Sequence, residues 1–433
     1  MTGSGIGEAV RSWFAGRYPL VFRLATTYRW SFLAGLVLVM AFAVGVEYLR
    51  LIANARDLVI GFGNLVGGDY AIFRQAAILA ADGTPAAAYD APAFVRILEQ
   101  AFPKAGPMGV TWQYPPTMFF LIAPLAWLPF LWGYVLWEAM LLVPFAASVV
   151  ALETKGRDLV FVFASPVVVH AVITGQTGML TGGLLLLGAL YASSAPWIAG
   201  IAIGLLTMKP QFGVLIPVAL LASRSWRTIA IATGTALVLA ALSVSSYGSE
   251  NWVAFIDAVR GHGGRMQTGV FPVAKLVTPF GAARMLGLGS EAALIGQAAC
   301  SLLLAAYVYR VWRRVPDRDA RAAVLVAAAP LATPYAFFYE TAILVLPALL
   351  LVRLARRDGW LPLEPLCLAV VWVTAFFMPG PEQVPGLSLS FLLVAIVFGL
   401  VCRRVQHMVA GNGRSIAPSG GVNTAELAPT PMP

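Results

Sequence analysis

The sequence is short of charged residues, cysteine and histidine. Only 11% of its 433 residues are charged, whereas soluble domains carry about 25%. The three cysteines, Cys300, Cys367 and Cys402, lie in or at the edge of apolar runs without metal-like spacing, which favours buried thiols over a metal site. The three histidines are scattered along the chain, which excludes a dense histidine metal cluster.

The apolar content indicates a lipid bilayer. Hydrophobic residues make up 59% of the sequence and the mean hydropathy is +0.80, well above soluble domains. Apolar runs recur with short polar connections, which predicts one all-α polytopic membrane body. The formal net charge is +9, but the basic residues stand at the ends of apolar runs. That pattern is typical of cytoplasmic anchoring and argues against a nucleic-acid partner.

Thirteen apolar runs are candidate membrane helices. They are about residues 30–46, 115–130, 132–152, 159–174, 177–194, 196–208, 212–223, 228–246, 291–311, 322–337, 341–354, 362–378 and 387–402. Arginines precede the first run and no convincing cleavage site follows it, which predicts an uncleaved helix with a cytoplasmic N-terminus. We expect a basic cytoplasmic segment over 1–29, the membrane domain over 30–405 and a disordered cytoplasmic tail over 406–433.

The basic clusters decide which of these runs cross. The run at 115–130 contains four prolines, and we expect it to enter or lie on the outer leaflet without crossing. About twelve transmembrane helices then place both termini and every basic cluster in the cytoplasm. The long loops at about 52–131 and 247–290 fall outside with most of the unusual polar residues. This predicts an active site on the extracytoplasmic, or periplasmic, face of the cell inner (plasma) membrane.

Asp69 in the stretch Gly-Gly-Asp-Tyr is the candidate catalytic residue. The two glycines permit a tight turn, and residues 70–81 follow with a helical apolar pattern. One interpretation is that Asp69 caps this helix, which is the commoner role of an isolated aspartate there. The other is that its carboxylate is a general base for an acceptor hydroxyl that attacks an activated sugar.

Lys209, which precedes Pro210 at the end of an apolar run, is the candidate phosphate contact. A lysine at membrane depth is costly unless it meets an anion, although snorkelling to the interface is an equal alternative. Arg74, Arg260, Arg265 and Lys275 are further outer cations that could contact a phosphate or lipid headgroups.

Other polar residues on the outer side are candidate substrate ligands. Gln176 could bond a sugar hydroxyl or a phosphate, or it and His170 could belong to a capped turn. Aromatic-belt anchoring accounts for Tyr335 and Tyr339 but not for the neighbouring Glu340. The predicted substrate-binding residues are Lys209, Gln176, Tyr114, Arg74, His170, Tyr335, Tyr339, Glu340 and Arg265.

Four stretches, in their order and spacing, resemble glycosyltransferase family 87. They are DYAIFRQAAILAADGTPAAAYD, WQYPPTMFFLIAPLAWLPF, VITGQTGMLTGGLLLLGALY and LLTMKPQFGVLIPVALLASRSWR. The resemblance spans about residues 30–405, and within the family the chain is similar to polyprenol-phosphate-mannose-dependent α-mannosyltransferases. It implies a GT-C fold with outer juxtamembrane helices. It also implies that Asp69 occupies the position of the catalytic aspartate and Lys209 that of a phosphate-contacting lysine.

The resemblance also implies the substrates. The donor would be a polyprenyl-phosphate sugar, with mannose as one candidate, and the acceptor a lipid or glycan among the membrane lipids. No metal or other cofactor would be required, because the leaving lipid phosphate is not a diphosphate that a divalent ion would bridge. The chain departs from the family at residues 337–340, which read Phe-Phe-Tyr-Glu where many relatives carry Trp-x-His-His. A histidine role is therefore not carried over to this segment.

Two other classes of function fit a polytopic membrane protein. A secondary transporter would show inverted repeats and ionisable groups near the midplane, and no internal repeat is visible in the sequence. A ligase or flippase-like protein for lipid-linked glycans would need a larger cationic groove, on which the sequence is neutral.

Overall fold

The computed structural model of the chain describes residues 12–13, 15–20, 29–106, 112–267, 273–375 and 388–414. For residues 29–34, 62, 262–267 and 411–414 it describes the backbone alone. The helices of the described part are α1 Arg29–Ala53, α2 Tyr70–Ala81, α3 Ala91–Ala101, α4 Met118–Ile122, α5 Phe130–Ala151, α6 Arg157–Phe163, α7 Pro166–Thr174, α8 Gly178–Tyr191, α9 Pro196–Leu206, α10 Ile216–Ala222, α11 Trp226–Tyr247, α12 Glu250–Gln267, α13 Pro279–Met285, α14 Ser290–Arg314, α15 Arg318–Ala328, α16 Val345–Asp358, α17 Glu364–Thr374 and α18 Leu389–Arg414. Between α1 and α2, the short strands β1 Val59–Ile60 and β2 Asn64–Leu65 pair antiparallel.

Several of these helices are long and apolar enough to cross a membrane. Within the described residues there are six such stretches: Gly35–Ala53, Phe130–Ala151, Trp226–Tyr247, Ser290–Arg314, Phe338–Asp358 and Leu389–Ala410. Helices α6 and α7 make a seventh if they form one span bent by 41°. The prediction of an all-α membrane protein is therefore confirmed. The number of about twelve crossings and the GT-C fold remain predictions.

Proline and 3-10 turns shorten several of the apolar runs. Proline-containing 3-10 segments follow α4 at Ala123–Ala126, precede α10 at Pro210–Gly213 and follow α15 at Ala329–Leu331. Proline lacks the amide hydrogen that a continuing α-helix would need, so these helices stop early. The run at 115–130 accordingly contains only the five-residue α4 and a 3-10 segment.

Helix α8 lies in the middle of the helical packing, and its glycines allow close approach on two sides. A Cβ atom on Gly178 would lie 2.8 Å from the Tyr339 carbonyl oxygen, and one on Gly183 would lie 2.4 Å from the Phe145 amide nitrogen. Side chains at these positions would separate the backbones. The glycines thus place the start of α8 directly against the 3-10 segment Phe338–Leu344.

Charged residues join several helices at one end of the molecule. Arg356 Nη2 donates to Asp158 Oδ1 at 2.8 Å, and Arg353 Nε donates to Asp319 Oδ2 at 3.1 Å. These pairs connect α6, α15 and α16 at the residues that the sequence assigns to basic clusters. We call this region, residues 153–158, 317–319 and 353–358, the basic end. The opposite ends of α7 and of the span Phe338–Asp358 carry the predicted site residues.

The expected domain limits remain predictions. Helix α18 ends at Arg414, nine residues beyond the expected end of the membrane domain at residue 405. Residues 415–433 of the expected tail lie outside the described part of the chain, as does most of the expected basic segment 1–29. Of the two long loops that are predicted to lie outside, the first contains α2, α3 and α4 and the second contains α12 and α13.

Candidate active site

Asp69 lies where two glycine-containing turns touch, one before α2 and one after α7. We call them the two glycine turns. Gly67 and Gly68 have left-handed backbone conformations, with φ of +72° and +50°. The Asp69 amide donates to the Thr174 carbonyl oxygen at 2.9 Å, at the end of α7. A Cβ atom on Gly175, where φ is +64°, would lie 2.4 Å from the Gly67 carbonyl oxygen. The glycines therefore permit the two turns to touch, which fixes the Asp69 backbone against α7.

Aromatic side chains from two candidate spans hold these turns in place. The Tyr48 hydroxyl of α1 accepts a hydrogen bond from the Gly67 amide at 2.8 Å. On α5, the Trp137 indole donates to the Gly175 carbonyl oxygen at 2.8 Å. The turns are thus attached to membrane helices and do not depend on the loop alone.

The Asp69 carboxylate does not cap α2. The residue occupies the N-cap position, but its side chain accepts no hydrogen bond from the first turn. Its Oδ2 instead accepts a hydrogen bond from Nε2 of Gln176. Asp90 shows the contrast, since its Oδ1 caps α3 by accepting from the Ala93 amide at 3.0 Å. The capping interpretation of Asp69 does not hold, and its carboxylate is left for another role.

The surroundings of Asp69 change its acidity. Burial raises the pKa of the carboxyl group above its ordinary value, while the hydrogen bond from Gln176 and the charges of Lys275 and Lys209 lower it without cancelling the rise. A raised pKa moves a carboxylate toward the range in which it is an effective general base near neutral pH.

Lys209 is buried in an ion pair. Its Nζ donates to Oε1 of Glu340 and to the hydroxyl oxygen of Thr177, the latter at 2.7 Å. The Lys209 and Glu340 side chains are 9% and 1% exposed, so the lysine does not snorkel to the interface. Oε2 of Glu340 is buried and has no hydrogen-bond partner in the described part of the chain. Removing one member of such a pair typically costs about 3–5 kcal/mol.

Tyrosines surround this ion pair. The Lys209 Nζ lies 5.5 Å from the centre of the Tyr114 ring. The Tyr339 ring stacks on Phe337 with a centroid distance of 5.2 Å, and Tyr335 meets Phe337 edge-on at 5.1 Å. These rings form a mainly aromatic boundary around the charged atoms, and a few polar groups in an apolar lining are typical of ligand pockets.

The structure brings most of the predicted site residues together. Hydrogen bonds, ring contacts or electrostatic coupling connect Asp69, Gln176, Lys209, Tyr114, Tyr335, Tyr339 and Glu340. His170 lies at the edge of this group, because its ring packs on Phe338 at 5.2 Å. We call the seven residues with Thr177 the Asp69 cluster.

Besides His170, two predicted residues are not placed in the Asp69 cluster. Arg74 lies on α2, but its Nη2 donates to the Leu128 carbonyl oxygen at 3.2 Å and its guanidinium stands 5.9 Å from the Phe130 ring centre. Its position on the outer side was predicted, whereas its approach to the loop before α5 was not. Arg265 lies in α12, and its side chain falls outside what the structure describes.

Thr177 was not among the predicted site residues, and Lys275 was only one of several predicted outer cations. Thr177 directly follows Gln176 in the stretch Thr-Gly-Gln-Thr-Gly, so the motif already contained it. Lys275 approaches Asp69 because its segment pairs with the 335–337 segment, where the Val277 amide donates to the Ala336 carbonyl oxygen at 2.9 Å. That pairing is nonlocal, and no pattern around residue 275 indicates it.

Comparison with known proteins gives one match. The model of glycosyltransferase family 87 matches residues 112–334, which is more than half of the 433-residue chain. Neither the curated proteins nor the solved structures contain a match to the chain. The matched range includes Tyr114, Gln176 and Lys209, and the contacts above join these residues to Asp69 and Glu340 outside it. The chain therefore belongs to glycosyltransferase family 87, and it is a membrane glycosyltransferase.

Proposed function

We propose that the protein transfers a sugar from a polyprenyl-phosphate carrier to a hydroxyl group of a lipid or glycan, with Asp69 as general base. One observation carries this proposal. At the start of α2, Asp69 makes no capping hydrogen bond and its carboxylate is held by Gln176 beside the buried Lys209–Glu340 pair. A carboxylate that is positioned but not used structurally is suited to accept a proton.

The proposed reaction is a single displacement with inversion at the anomeric carbon. The acceptor oxygen forms a bond to that carbon while the bond from the carbon to the phosphate oxygen breaks. The electron pair leaves with the polyprenyl phosphate, and the acceptor proton passes to Asp69. Gln176 keeps the carboxylate in place during this transfer, because its amide donates to Oδ2 and leaves Oδ1 for the acceptor.

Lys209 and Lys275 are the proposed partners of the donor phosphate. The Lys209 ammonium donates to Glu340 and Thr177 and also bonds the Tyr114 hydroxyl, so a phosphate oxygen would take the place of one of these partners. Lys275 is exposed, and its charge reaches Asp69. Two cations near the acid would stabilise the negative charge that develops on the leaving phosphate.

The site is proposed to face the extracytoplasmic side. The Asp69 cluster and the basic end lie at opposite ends of the span Phe338–Asp358, since Glu340 is near its start and Arg356 near its finish. Basic residues of membrane proteins concentrate on the cytoplasmic side, which assigns the Asp69 cluster to the other face. A polyprenyl carrier would present its sugar there within the bilayer plane. Mannose is the first sugar to test, because the sequence is similar to mannose-using members of the family.

Exchanging Asp69 for asparagine tests the proposed base. The asparagine side chain keeps the size of aspartate and can accept a hydrogen bond, but it cannot take a proton at neutral pH. We expect Asp69→Asn to lower turnover by roughly 10²- to 10⁴-fold. The measurement is transfer from a synthetic polyprenyl-phosphate sugar to extracted lipid acceptors by the purified protein in liposomes.

Asp90→Asn is the matched control for this experiment. Asp90 stands at the start of α3 and does cap its helix, and asparagine caps about as well as aspartate. The control should therefore keep nearly full turnover. Near-normal transfer by Asp69→Asn would remove Asp69 from the chemistry and direct attention to Glu340.

A further inference from the structure

A second cavity lies away from the Asp69 cluster, between α1, α6, α16 and α17. Its volume is about 600 Å³ and its wall is mostly apolar, with Val37, Phe161, Leu349 and Trp372 among its lining residues. This volume falls in the range of about 300–1,000 Å³ that is common for ligand sites. We call this cavity the α1–α17 groove.

The α1–α17 groove opens into a polar cavity at the basic end. The polar cavity has a volume of about 510 Å³ and is lined by four basic residues and two acidic ones. Arg157, Asp158, Leu349 and Arg356 line both cavities, which are therefore continuous. A long apolar space that ends in a polar, cationic chamber has the form of a site for an amphiphile.

The charges of the polar cavity are not balanced within the protein. Arg356 is paired with Asp158, and Arg353 with Asp319. Lys155 and Arg157 are exposed, and in the part of the chain that the structure describes no acid lies within ion-pair distance of either side chain. Glu153 also lines the cavity, so four basic and two acidic residues give the lining a net charge of +2. A net positive charge at the mouth of an apolar cavity is complementary to an anionic headgroup, since such groups attract acidic lipids at a membrane surface.

Two buried polar atoms add an independent sign of a missing partner. The Thr154 hydroxyl in the polar cavity and the Trp372 indole nitrogen in the α1–α17 groove are both buried without a hydrogen-bond partner among the described residues. Native proteins rarely leave such atoms unsatisfied. Both can donate to an oxygen of a bound molecule.

We propose that the α1–α17 groove binds one anionic membrane phospholipid. The acyl chain lies along Phe161, Leu349 and Trp372, and the phosphate contacts Arg157 and Lys155. An isolated phosphate ion would leave the apolar wall unfilled, and a neutral diacylglycerol would leave the two cations unpaired. The shape and the charge of the site together therefore indicate a lipid that has both parts.

This lipid site is separate from the proposed donor site. Glu340 in the Asp69 cluster and Arg356 at the polar cavity are sixteen residues apart on one span, so about 26 Å separates them at about 2.0 Å per residue in the 3-10 segment and 1.5 Å per residue in α16. The proposal does not depend on the identity of the donor or on Asp69 as the base. A lipid here would hold together α1, α6, α16 and α17 at the end of the molecule opposite the Asp69 cluster.

Lipid binding to the delipidated full-length protein in detergent tests the proposal. Phosphatidylglycerol is titrated, with bound lipid counted by native mass spectrometry and the unfolding midpoint followed in parallel. We expect one tightly held phosphatidylglycerol and a rise in the midpoint, because a ligand that binds the folded state stabilises it. Diacylglycerol and inorganic phosphate should each produce neither effect.

Two variants and a matched control test whether the lipid binds in the α1–α17 groove. Lys155→Gln with Arg157→Gln should weaken phosphatidylglycerol binding by about tenfold or more, because charge-assisted contacts to the phosphate are lost. Ala369→Trp, which fills the apolar wall, should weaken it while keeping both cations. The control, Arg313→Gln with Arg314→Gln, removes two exposed charges at the end of α14 and should bind as the unaltered protein does.

Three results would overturn the proposal. The first is equal loss of lipid in the control and in the Lys155 and Arg157 variant, which would indicate nonspecific attraction. The second is unchanged binding in Ala369→Trp, which would mean that the apolar cavity holds no chain. The third is equal binding of diacylglycerol or inorganic phosphate, which would show that one half of the site suffices.

Discussion

Asp69 and Gln176 act together at the scale of single residues. The carboxyl group is half-buried, and its pKa is raised by that burial and lowered by the amide hydrogen bond. Gln176 therefore has two effects, since it positions Oδ2 and favours the ionised form. The Oε1 atom of Gln176 is buried without a partner among the described residues, so the amide is oriented by its bond to Asp69 alone.

Gln176→Met tests this pairing through the pH dependence of the reaction. Methionine cannot donate, so the pKa of Asp69 should rise further above its ordinary value. A general base works only when deprotonated. We therefore expect the acid limb of the kcat/KM profile to move to higher pH, with activity lost first at low pH and largely recovered at alkaline pH.

Gln100→Met, on the exposed side of α3, is the control for the Gln176 experiment and should leave the profile unchanged. An acid limb that moves to lower pH in Gln176→Met, or one that stays in place with activity unchanged, would contradict the assignment of Asp69 as the titrating base. A uniform loss at every pH would indicate that Gln176 only positions the carboxylate.

At the scale of structural elements, the contact between the two glycine turns positions Asp69, the proposed base. The turn before α2 and the turn after α7 touch through backbone atoms alone, and side chains of α1 and α5 hold them. Each turn is locally recognisable from its glycines, but the sequence did not indicate that they meet. The expected span at 322–337 illustrates a similar limit, because it ends as an α-helix at Ala328 where the Pro330 turn begins.

Gly175→Ala should destabilise the protein much more than Gly83→Ala. Both glycines have positive φ, +64° and +74°, but a Cβ on Gly83 meets nothing within 4 Å. The alanine at 83 adds only backbone strain, about 1–2 kcal/mol, whereas the alanine at 175 also clashes with Gly67 and should cost about 2–5 kcal/mol in total. Unfolding midpoints in detergent measure the difference. Equal midpoints would mean that the two turns separate without cost.

At the scale of the whole molecule, the chain divides into a basic end and an end with the Asp69 cluster. Cysteines introduced at Gly83 and Gly156 report on which side of the membrane each end lies. The three native cysteines are first replaced by alanine. Both glycines are exposed and have positive φ, so each cysteine is accessible and adds some backbone strain. We expect a membrane-impermeant maleimide to label position 83 from outside and position 156 only after the membrane is opened. Labelling of position 156 in intact cells would contradict the proposed orientation.

At this scale it is also clearest which features could be predicted from the sequence. Asp69, Lys209 and Glu340 were recognisable singly, because each is a polar residue where the chain is otherwise apolar. The pairs that they form were not recognisable, since Gln176 is 107 residues from Asp69 and helix packing alone brings them together. Helix character and membrane location follow from composition and apolar runs. The positions where the helices end depend on prolines, and the central position of α8 depends on glycines. The effects of both appear only when the helices pack.

The Lys209–Glu340 pair has a consequence for how the protein is made. The two residues are 131 positions apart in the chain, so at about 5–20 residues per second the ribosome delivers Glu340 roughly 7–26 seconds after Lys209. During that interval the lysine has no carboxylate partner and must remain hydrated at the bilayer surface. Closure of the pair is then a late step of biogenesis, which draws the start of α8, the Pro210 turn and the Phe338–Leu344 segment together after their helices have been inserted.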